Sequence, residues 1–411
     1  MNLTLEQKIG QLMIIGWQSE KYQDIVELLE KYHFGNVILF TRNIKSFSQI
    51  KTAIEKIQEA ALKYNGVPAF ISVDQEGGNI RRIYEDITHI PGHMAIGAAS
   101  NFDQNAAYKI GKIVGQELKH LGVNCNFAPV ADVNSNQKNP IIGIRAFSDD
   151  PEVVSNLASE YAKGLDEHKV IATYKHFIGH GNVTIDSHLD LPHLNTSYQD
   201  LEKCELVPYM NPHFKPAAIM TAHILYNQID DRFPATLSRK IIHETLREKM
   251  NFKGLVIGDC LEMDAISRAF ALEEAGVFAL KATVDLVLVS HTFGRQMKVR
   301  NGIIKAVKEG EISLQELDER VENVLRHKKI YAKTLTEETV DFKKNAQIAK
   351  EISLNSVTLA HGEPFPLDEN AVVIGVTNYL SSTAEDKNIE NMDIAKIIGE
   401  EFNIPYRSID N

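Results

Sequence analysis

The chain has 411 residues, enough for two or three average domains or for one α/β barrel with an appendage. At 44% hydrophobic, 24% charged and 8% aromatic, it is excluded from the disordered, collagenous and coiled-coil classes. Its 55 acidic residues against 44 basic ones leave no electrostatic motive for binding a phosphate backbone or an anionic membrane surface, so no nucleic-acid partner is expected.

In chain order, Met1 to Trp17 begins amphipathically, with Glu6 and Lys8 inside it, and lacks the basic segment, long apolar run and small-residue cleavage site of a secretion signal. Short β-branched runs then alternate with longer segments of helical period. The expected strands are Leu12–Gly16, Asn36–Phe40, Ala69–Asp74, Cys125–Val130, Ile171–His176, Ala218–Ala222, Leu255–Asp259 and Leu286–Ser290. Between them, apolar residues recur at three and four in Ser48–Tyr64, Gln104–Leu121, Glu152–Glu167, Arg239–Met250 and Met263–Lys281. Eight strands alternating with helices predict an α/β fold, a (β/α)8 TIM-type barrel. A Rossmann-type sheet would need a Gly-rich phosphate turn after an early strand, and Gly77-Gly78 alone does not supply one.

One more amphipathic segment, Ser313–Tyr331, precedes a polar stretch, Ala332–Thr339, that has no apolar stripe. This sets an expected boundary near Leu335, with a barrel over residues 1–335 and a short C-terminal α/β appendage over 336–411. The appendage is expected to hold a helix running into a strand at Asn345–Thr358, a strand at Asn370–Thr377 and a helix at Met392–Phe402. Its apolar run Ala371–Ile374 is expected to cover itself against the barrel flank. Nowhere does an apolar stretch approach the roughly 18 to 20 residues that span a bilayer, so a soluble, cytoplasmic chain with no membrane insertion is expected. Cys125, Cys204 and Cys260 lie far apart with no CxxC spacing, which suggests neither a disulfide framework nor a zinc knuckle and fits a reducing compartment.

In a βα barrel the active site is built at the C-terminal ends of the strands. The third expected strand ends in Asp74-Gln75-Glu76-Gly77-Gly78, the fourth approaches Asp132, the fifth ends in Lys175-His176, the sixth in His223 and the seventh in Gly258-Asp259. Helix capping accounts for any one of these alone, but not for their convergence on one rim. The densest segment runs from Tyr174 to His188, where Gly179 and Gly181 allow a loop to fold back over the mouth. In an extended stretch, residues two apart point the same way, so Asp186 can hold one imidazole nitrogen of His188 while the other faces a substrate, as an acid/base dyad. His176, His180, His188, His193 and Asp186 could instead ligate zinc, but their spacing lacks the helical HExxH pattern and Lys175 adds a positive charge, so no metal is expected. Asp259, after an apolar strand, is the kind of carboxylate that serves as a glycosidase nucleophile, and Asp74 with Glu76 is the rival pair, suited to a substrate-assisted mechanism.

Across Leu3 to Tyr331 the chain resembles the family 3 glycoside hydrolases, and within them the NagZ-type β-N-acetylglucosaminidases (β-hexosaminidases). The resemblance is carried by Lys8-Ile9-Gly10-Gln11-Leu12, Asp74-Gln75-Glu76-Gly77-Gly78, Ala128-Pro129-Val130-Ala131-Asp132-Val133-Asn134, Arg145-Ala146-Phe147-Ser148 and Gly258-Asp259. Its decisive element is Lys175-His176-Phe177-Ile178-Gly179-His180-Gly181 followed by Asp186-Ser187-His188, a loop that ordinary β-glucosidases of the family lack. The resemblance implies Asp259 as nucleophile, His188 as acid/base and Asp186 as its orienting partner, with Asp74, Arg82, Arg145, Lys175 and His176 binding the hydroxyls of a non-reducing GlcNAc. It implies an exo-acting, retaining hydrolase of peptidoglycan fragments or chitooligosaccharides that needs no cofactor. The chain departs from the family at Ile178, where proline is usual, and at Cys260, where an acidic or small residue is usual. A phosphorylase on the same scaffold and a non-catalytic amino-sugar-binding protein are the alternatives, and oligomeric state is not legible.

Overall fold

The computed structural model describes residues 3–332, 339–359, 361, 363, 371–377 and 393–410. Eight parallel strands line up as β1 (Met13–Ile15), β2 (Asn36–Leu39), β3 (Phe70–Val73), β4 (Cys125–Asn126), β5 (Ile171–Phe177), β6 (Ala218–Thr221), β7 (Leu255–Ile257) and β8 (Val287–Val289). Their order follows the chain, β8 pairs with β1 at Met13↔Val287, and a parallel bridge Ile257↔Leu286 joins β7 to the approach of β8, so the sheet closes on itself. Closure leaves no long edge exposed, and every one of these strands is buried along its length, as expected of a parallel sheet ringed by helices.

The helical ring follows from local chemistry. Ser46 caps Phe47–Asn65 by accepting the Gln49 N–H, Ile50, Ile54, Ile57 and Ala61 face the sheet, and Gly66 ends the helix at φ 67°. Asp150 caps Pro151–Glu167, whose proline sits in the first turn where its missing N–H costs nothing. That helix lies against Ala106–Leu121 so closely that a Cβ on Gly111 would stand 2.0 Å from the Tyr161 carbonyl oxygen, and one on Gly164 would stand 2.3 Å from the Lys112 nitrogen.

Three elements differ from expectation. The fourth strand keeps its ladder only at Cys125–Asn126, because Pro129 has no N–H to give, and Val130 rejoins the sheet through a single bridge to Lys175. Met263–Lys281 is not one helix but two, Asp264–Ser267 and Leu272–Lys281. Ala265 and Ile266 are buried at the barrel mouth, where the Ala265 N–H reaches the Ser187 carbonyl, whereas Leu272 to Leu280 cover the barrel's outer wall, and one straight rod cannot serve both surfaces. Arg239–Met250 is helical over Lys240–Lys249, but wound as a π-helix.

After the helix Leu314–Tyr331, the expected boundary at Leu335 falls outside the described residues. The helix Phe342–Asn355 packs on the barrel through buried Ala349 and Ile352, and Asn345 Nδ2 donates to Glu117 Oε1 at 2.8 Å. The strand expected to run on to Thr358 is absent, since 356–359 carry no strand. Further on, β9 (Val373–Thr377) and β10 (Tyr406–Asp410) pair in parallel around the helix Ile394–Phe402, a single βαβ unit. The apolar run does not cover itself on the barrel flank: Val372 and Ile374 are 59% and 64% exposed, because β9 turns Gly375 toward Ala395 of its own helix.

Gly111→Ala is expected to destabilise the protein, although alanine is the better helix former by about 1 kcal/mol. The overpacking cost against the Tyr161 carbonyl, about 1–3 kcal/mol, outweighs that gain. A lower urea midpoint at unchanged m-value is the expected reading, and a higher one would mean that the two helices separate freely.

Candidate active site

The mouth of the barrel is organised by a carboxylate that never reaches solvent. Glu76, 2% exposed, lies just beyond β3 and takes two hydrogen bonds from Arg145, at 3.0 Å from Nε and 2.8 Å from Nη2. Lys175 Nζ stands 2.6 Å from Glu76 and 2.9 Å from Asp74. Burial alone would raise the Glu76 carboxyl, but the Arg145 and Lys175 charges overturn this and hold it well below the usual range. Burial likewise disfavours the charged Lys175, and Asp74 with Glu76 more than offsets it, so the ammonium is retained. Glu76 is therefore an anchor for two cations, Arg145 and Lys175, the second of which it shares with Asp74.

Arg82 is set by a relay of amides. Asn126 pairs with both main-chain groups of Gln75, and the Gln75 side chain accepts from the Arg82 and Ile83 N–H groups. The tight turn that makes this possible needs Gly77 at φ 102°, where a Cβ would also meet the Pro91 carbonyl oxygen at 2.5 Å.

At the end of β5, His176 presents Nδ1 to Asp132 Oδ2 at 2.7 Å, and Asp132 Oδ1 accepts the N–H groups of His176 and His180. Since a carboxylate only accepts, Nδ1 carries the proton and Nε2 is left for a ligand. His180 turns inward to Ser187 Oγ at 2.9 Å, and burial pushes its imidazole down to about 4. His193 is exposed, in a two-residue bridge to Leu225. Among the histidines weighed as zinc ligands, His176 and His180 are thus committed to separate partners, and the described residues show no cluster of metal-ligating side chains.

Asp186 and His188 do meet, His188 Nδ1 lying 2.8 Å from Asp186 Oδ1. The backbone is not the extended one expected: Asp186 Oδ1 also accepts the His188 N–H at 2.8 Å, and the Asp186 carbonyl accepts from Leu189 and Asp190, so a tight turn brings the pair together. Across the mouth, Asp259 follows β7 and takes the Cys260 N–H at 2.7 Å. Burial pushes its carboxyl upward, but His223, His176, that N–H and His188 outweigh it and keep the carboxyl below its ordinary value, hence ionised at neutral pH.

Asp74, Arg82, Arg145, Lys175, His176, His188 and Asp259 all line one cavity of about 560 Å³, and Asp186 stands behind His188. A larger cleft of about 1830 Å³ lies at the opposite barrel end, where Arg247 and Asn323 bind loop carbonyls and Asp285; none of the strand-end groups reaches it. Asp132, Gln75 and His223 were not singled out as site residues from sequence. Their signal is only that each follows an apolar strand, and each has a partner 37 to 51 residues away.

The chain matches the family model described as the glycosyl hydrolase family 3 N terminal domain over residues 4–327. It is 36% identical over 282 residues to a beta-hexosaminidase A of Pseudoalteromonas piscicida, an alignment covering 65% of this chain but only 47% of that relative. It is 35% identical over 297 residues to a beta-hexosaminidase of Tolumonas auensis, covering 72% of this chain and 87% of the relative. Among solved structures it is similar to a glycoside hydrolase family 3 beta-N-acetylglucosaminidase from Paenibacillus sp., with a TM-score of 0.92, 34% identity, and coverage of 100% of this chain and 80% of that one.

The buried imidazoles make a pH test. His93 and His180 are both pushed by burial down to about 4, whereas an unfolded histidine titrates near about 6.5. As pH falls from about 6.5 to about 4, the unfolded chain binds protons that the folded one refuses, so this contribution is full above the window and lost through it. His180→Gln, which keeps a donor toward Ser187, is expected to flatten the loss of stability across that window by up to about 1.4 kcal/mol per pH unit. Urea midpoints measured at each pH for both proteins read the difference directly, and parallel curves would mean that His180 is already protonated in the fold.

Proposed function

The chain belongs to glycosyl hydrolase family 3, and from that premise we propose that it is an exo-acting, retaining β-N-acetylglucosaminidase. It removes a terminal GlcNAc from peptidoglycan fragments or chitooligosaccharides. The observation that carries the reading is the Asp186–His188 pair facing the cavity that also holds an ionised Asp259.

In the first step the Asp259 carboxylate attacks the anomeric carbon while the bond to the aglycone oxygen breaks, and His188 Nε2 delivers a proton to that departing oxygen. Asp186 bears on the imidazolium through Nδ1–H, which fixes the tautomer and balances the charge before the transfer. In the second step the neutral imidazole takes a proton from water as its oxygen attacks the anomeric carbon, and the Asp259 ester bond breaks with net retention. Asp74, Arg82, Arg145, Lys175 and His176 hold the sugar hydroxyls. No metal or organic cofactor enters these steps. The barrel is self-sufficient, since every group with a role lies between Asp74 and Asp259.

Phosphorolysis is the second reading, favoured by the same pair. An imidazole at the acid/base position carries no negative charge when neutral, so phosphate can approach the glycosyl-enzyme without the repulsion that a carboxylate would impose. GlcNAc 1-phosphate formed in phosphate buffer distinguishes it from hydrolysis. A cytoplasmic site of action belongs to the proposal too, supported by three free cysteines and tested by cell fractionation. Among the described residues no helix is long and apolar enough to cross a membrane.

The protein is expected to release nitrophenol from the GlcNAc glycoside and far less from the glucoside. Asp259→Ala should lower turnover by several orders of magnitude with the fold intact, and a fluorinated, slowly released glycosyl donor should label Asp259. A label on Asp74 or Glu76 would overturn the assignment.

His188→Ala is expected to cost roughly 10²-fold or more on a disaccharide, whose leaving group needs a proton, and much less on an activated aryl glycoside. Equal losses on the two substrates would make His188 a binding residue.

A further inference from the structure

His223 lies two residues past the end of β6, is wholly buried, and does not line the cavity. Its imidazole nevertheless closes a hydrogen-bonded circuit on the main chain around Asp259. Nε2 stands 2.9 Å from the Cys260 carbonyl oxygen, and since a carbonyl only accepts, Nε2 carries the proton. Its other nitrogen, Nδ1, stands 2.8 Å from Thr236 Oγ1. Thr236 Oγ1 is in turn 2.8 Å from Thr221 Oγ1, which accepts the Asp259 N–H at 3.4 Å.

The Thr236 hydroxyl also reaches the Ala222 carbonyl at 2.9 Å, so its one proton is shared between that oxygen and Nδ1. Along the circuit the Asp259 N–H donates to Thr221, the Thr221 hydroxyl to Thr236, and Nε2–H to the Cys260 carbonyl. The circuit leaves the nucleophile's chain on its N-terminal side and returns one residue beyond it. Between the two grips, the Cys260 N–H holds the Asp259 carboxylate itself. The two contacts of this histidine join β6, the segment around Thr236 and the end of β7.

We propose that His223 is a positioning residue of the reaction, one that sets the direction of the Asp259 carboxylate through the Cys260 carbonyl and the Thr221–Thr236 pair without touching the sugar. The inference rests on Asp259 being the nucleophile. Misaligning a reacting group by an ångström costs on the order of 10²-fold in rate, while binding of the sugar by Asp74, Arg145 and Lys175 is untouched. His223→Ala is therefore expected to lower kcat by about 10²-fold with KM within about threefold.

The conservative variants separate positioning from space filling. Glutamine places an amide donor where Nε2 stood and should bring kcat back to within about tenfold of the parent, whereas asparagine reaches only the Nδ1 position and should not. Thr236→Val, isosteric and without the hydroxyl that joins Nδ1 to Thr221, should lower kcat about tenfold and add little to His223→Ala, since both cut one circuit. The comparison uses folded full-length protein on whichever nitrophenyl glycoside the parent hydrolyses, so failure of the GlcNAc reading leaves it intact, and the labelling experiment reports separately on Asp259. The proposal is overturned if folded His223→Ala turns over within about threefold of the parent, if glutamine and asparagine are equally impaired, or if the loss appears in KM alone. Should the alanine variant not fold, the glutamine and asparagine pair decides.

Discussion

Burying the Glu76 carboxylate is the constraint from which the rest of the barrel mouth follows. An unpaired ion at that depth is prohibitive, so the chain must bring it partners, and they come from opposite sides: Arg145 from the loop after β4 and Lys175 from β5. The guanidinium fork fits a carboxylate at two points, which fixes direction as well as distance. Lys175 then has charge to share with Asp74, and the Arg145 carbonyl is held by His93 Nδ1 at 2.9 Å. Two anions and two cations come out balanced, so removing one member leaves a charge stranded among apolar walls.

The same logic of a buried holder behind each group at the cavity recurs around the rim. Asp132 stands behind His176, Asp186 behind His188, and Gln75 behind Arg82. Such holders cost nothing to reorganise when a substrate's charge shifts, because their dipoles already point the required way. Rigidity here comes from hydrogen bonds between distant segments, with the apolar barrel wall serving as the fixed frame that sets their spacing.

The eight strands were legible because short runs rich in apolar and β-branched residues alternate with helical periods, and each expected run contains the observed strand apart from the one-residue extension at Phe177. What could not be read is where a pattern serves two surfaces, as in Met263–Lys281, or where an apolar run faces outward, as at Val372 and Ile374. In the site, the i to i+2 spacing of Asp186 and His188 was sufficient to pair them, although through a turn and not an extended chain. The distinction between groups that face the cavity and groups that hold them was not legible, since Glu76 and Arg145 are 69 residues apart and His176 and Asp132 are 44 apart. Only folding puts such pairs side by side, and strand-end position alone marks Glu76 and Asp259 alike.

Cys260 follows Asp259 directly, with its sulfur 3.0 Å from Ser290 Oγ, and burial pushes its thiol up to about 12. Burial does the same to Cys125, up to about 12, and to Cys204, up to about 11. Alkylating reagents attack thiolates, and at neutral pH these three sulfurs offer almost none. An electrophile carried into the cavity, an epoxide for instance, thus meets carboxylates and imidazoles, Asp259 and His188 among them, while the neighbouring sulfur stays protonated. Covalent modification at this cavity would then fall on oxygen and nitrogen in preference to sulfur.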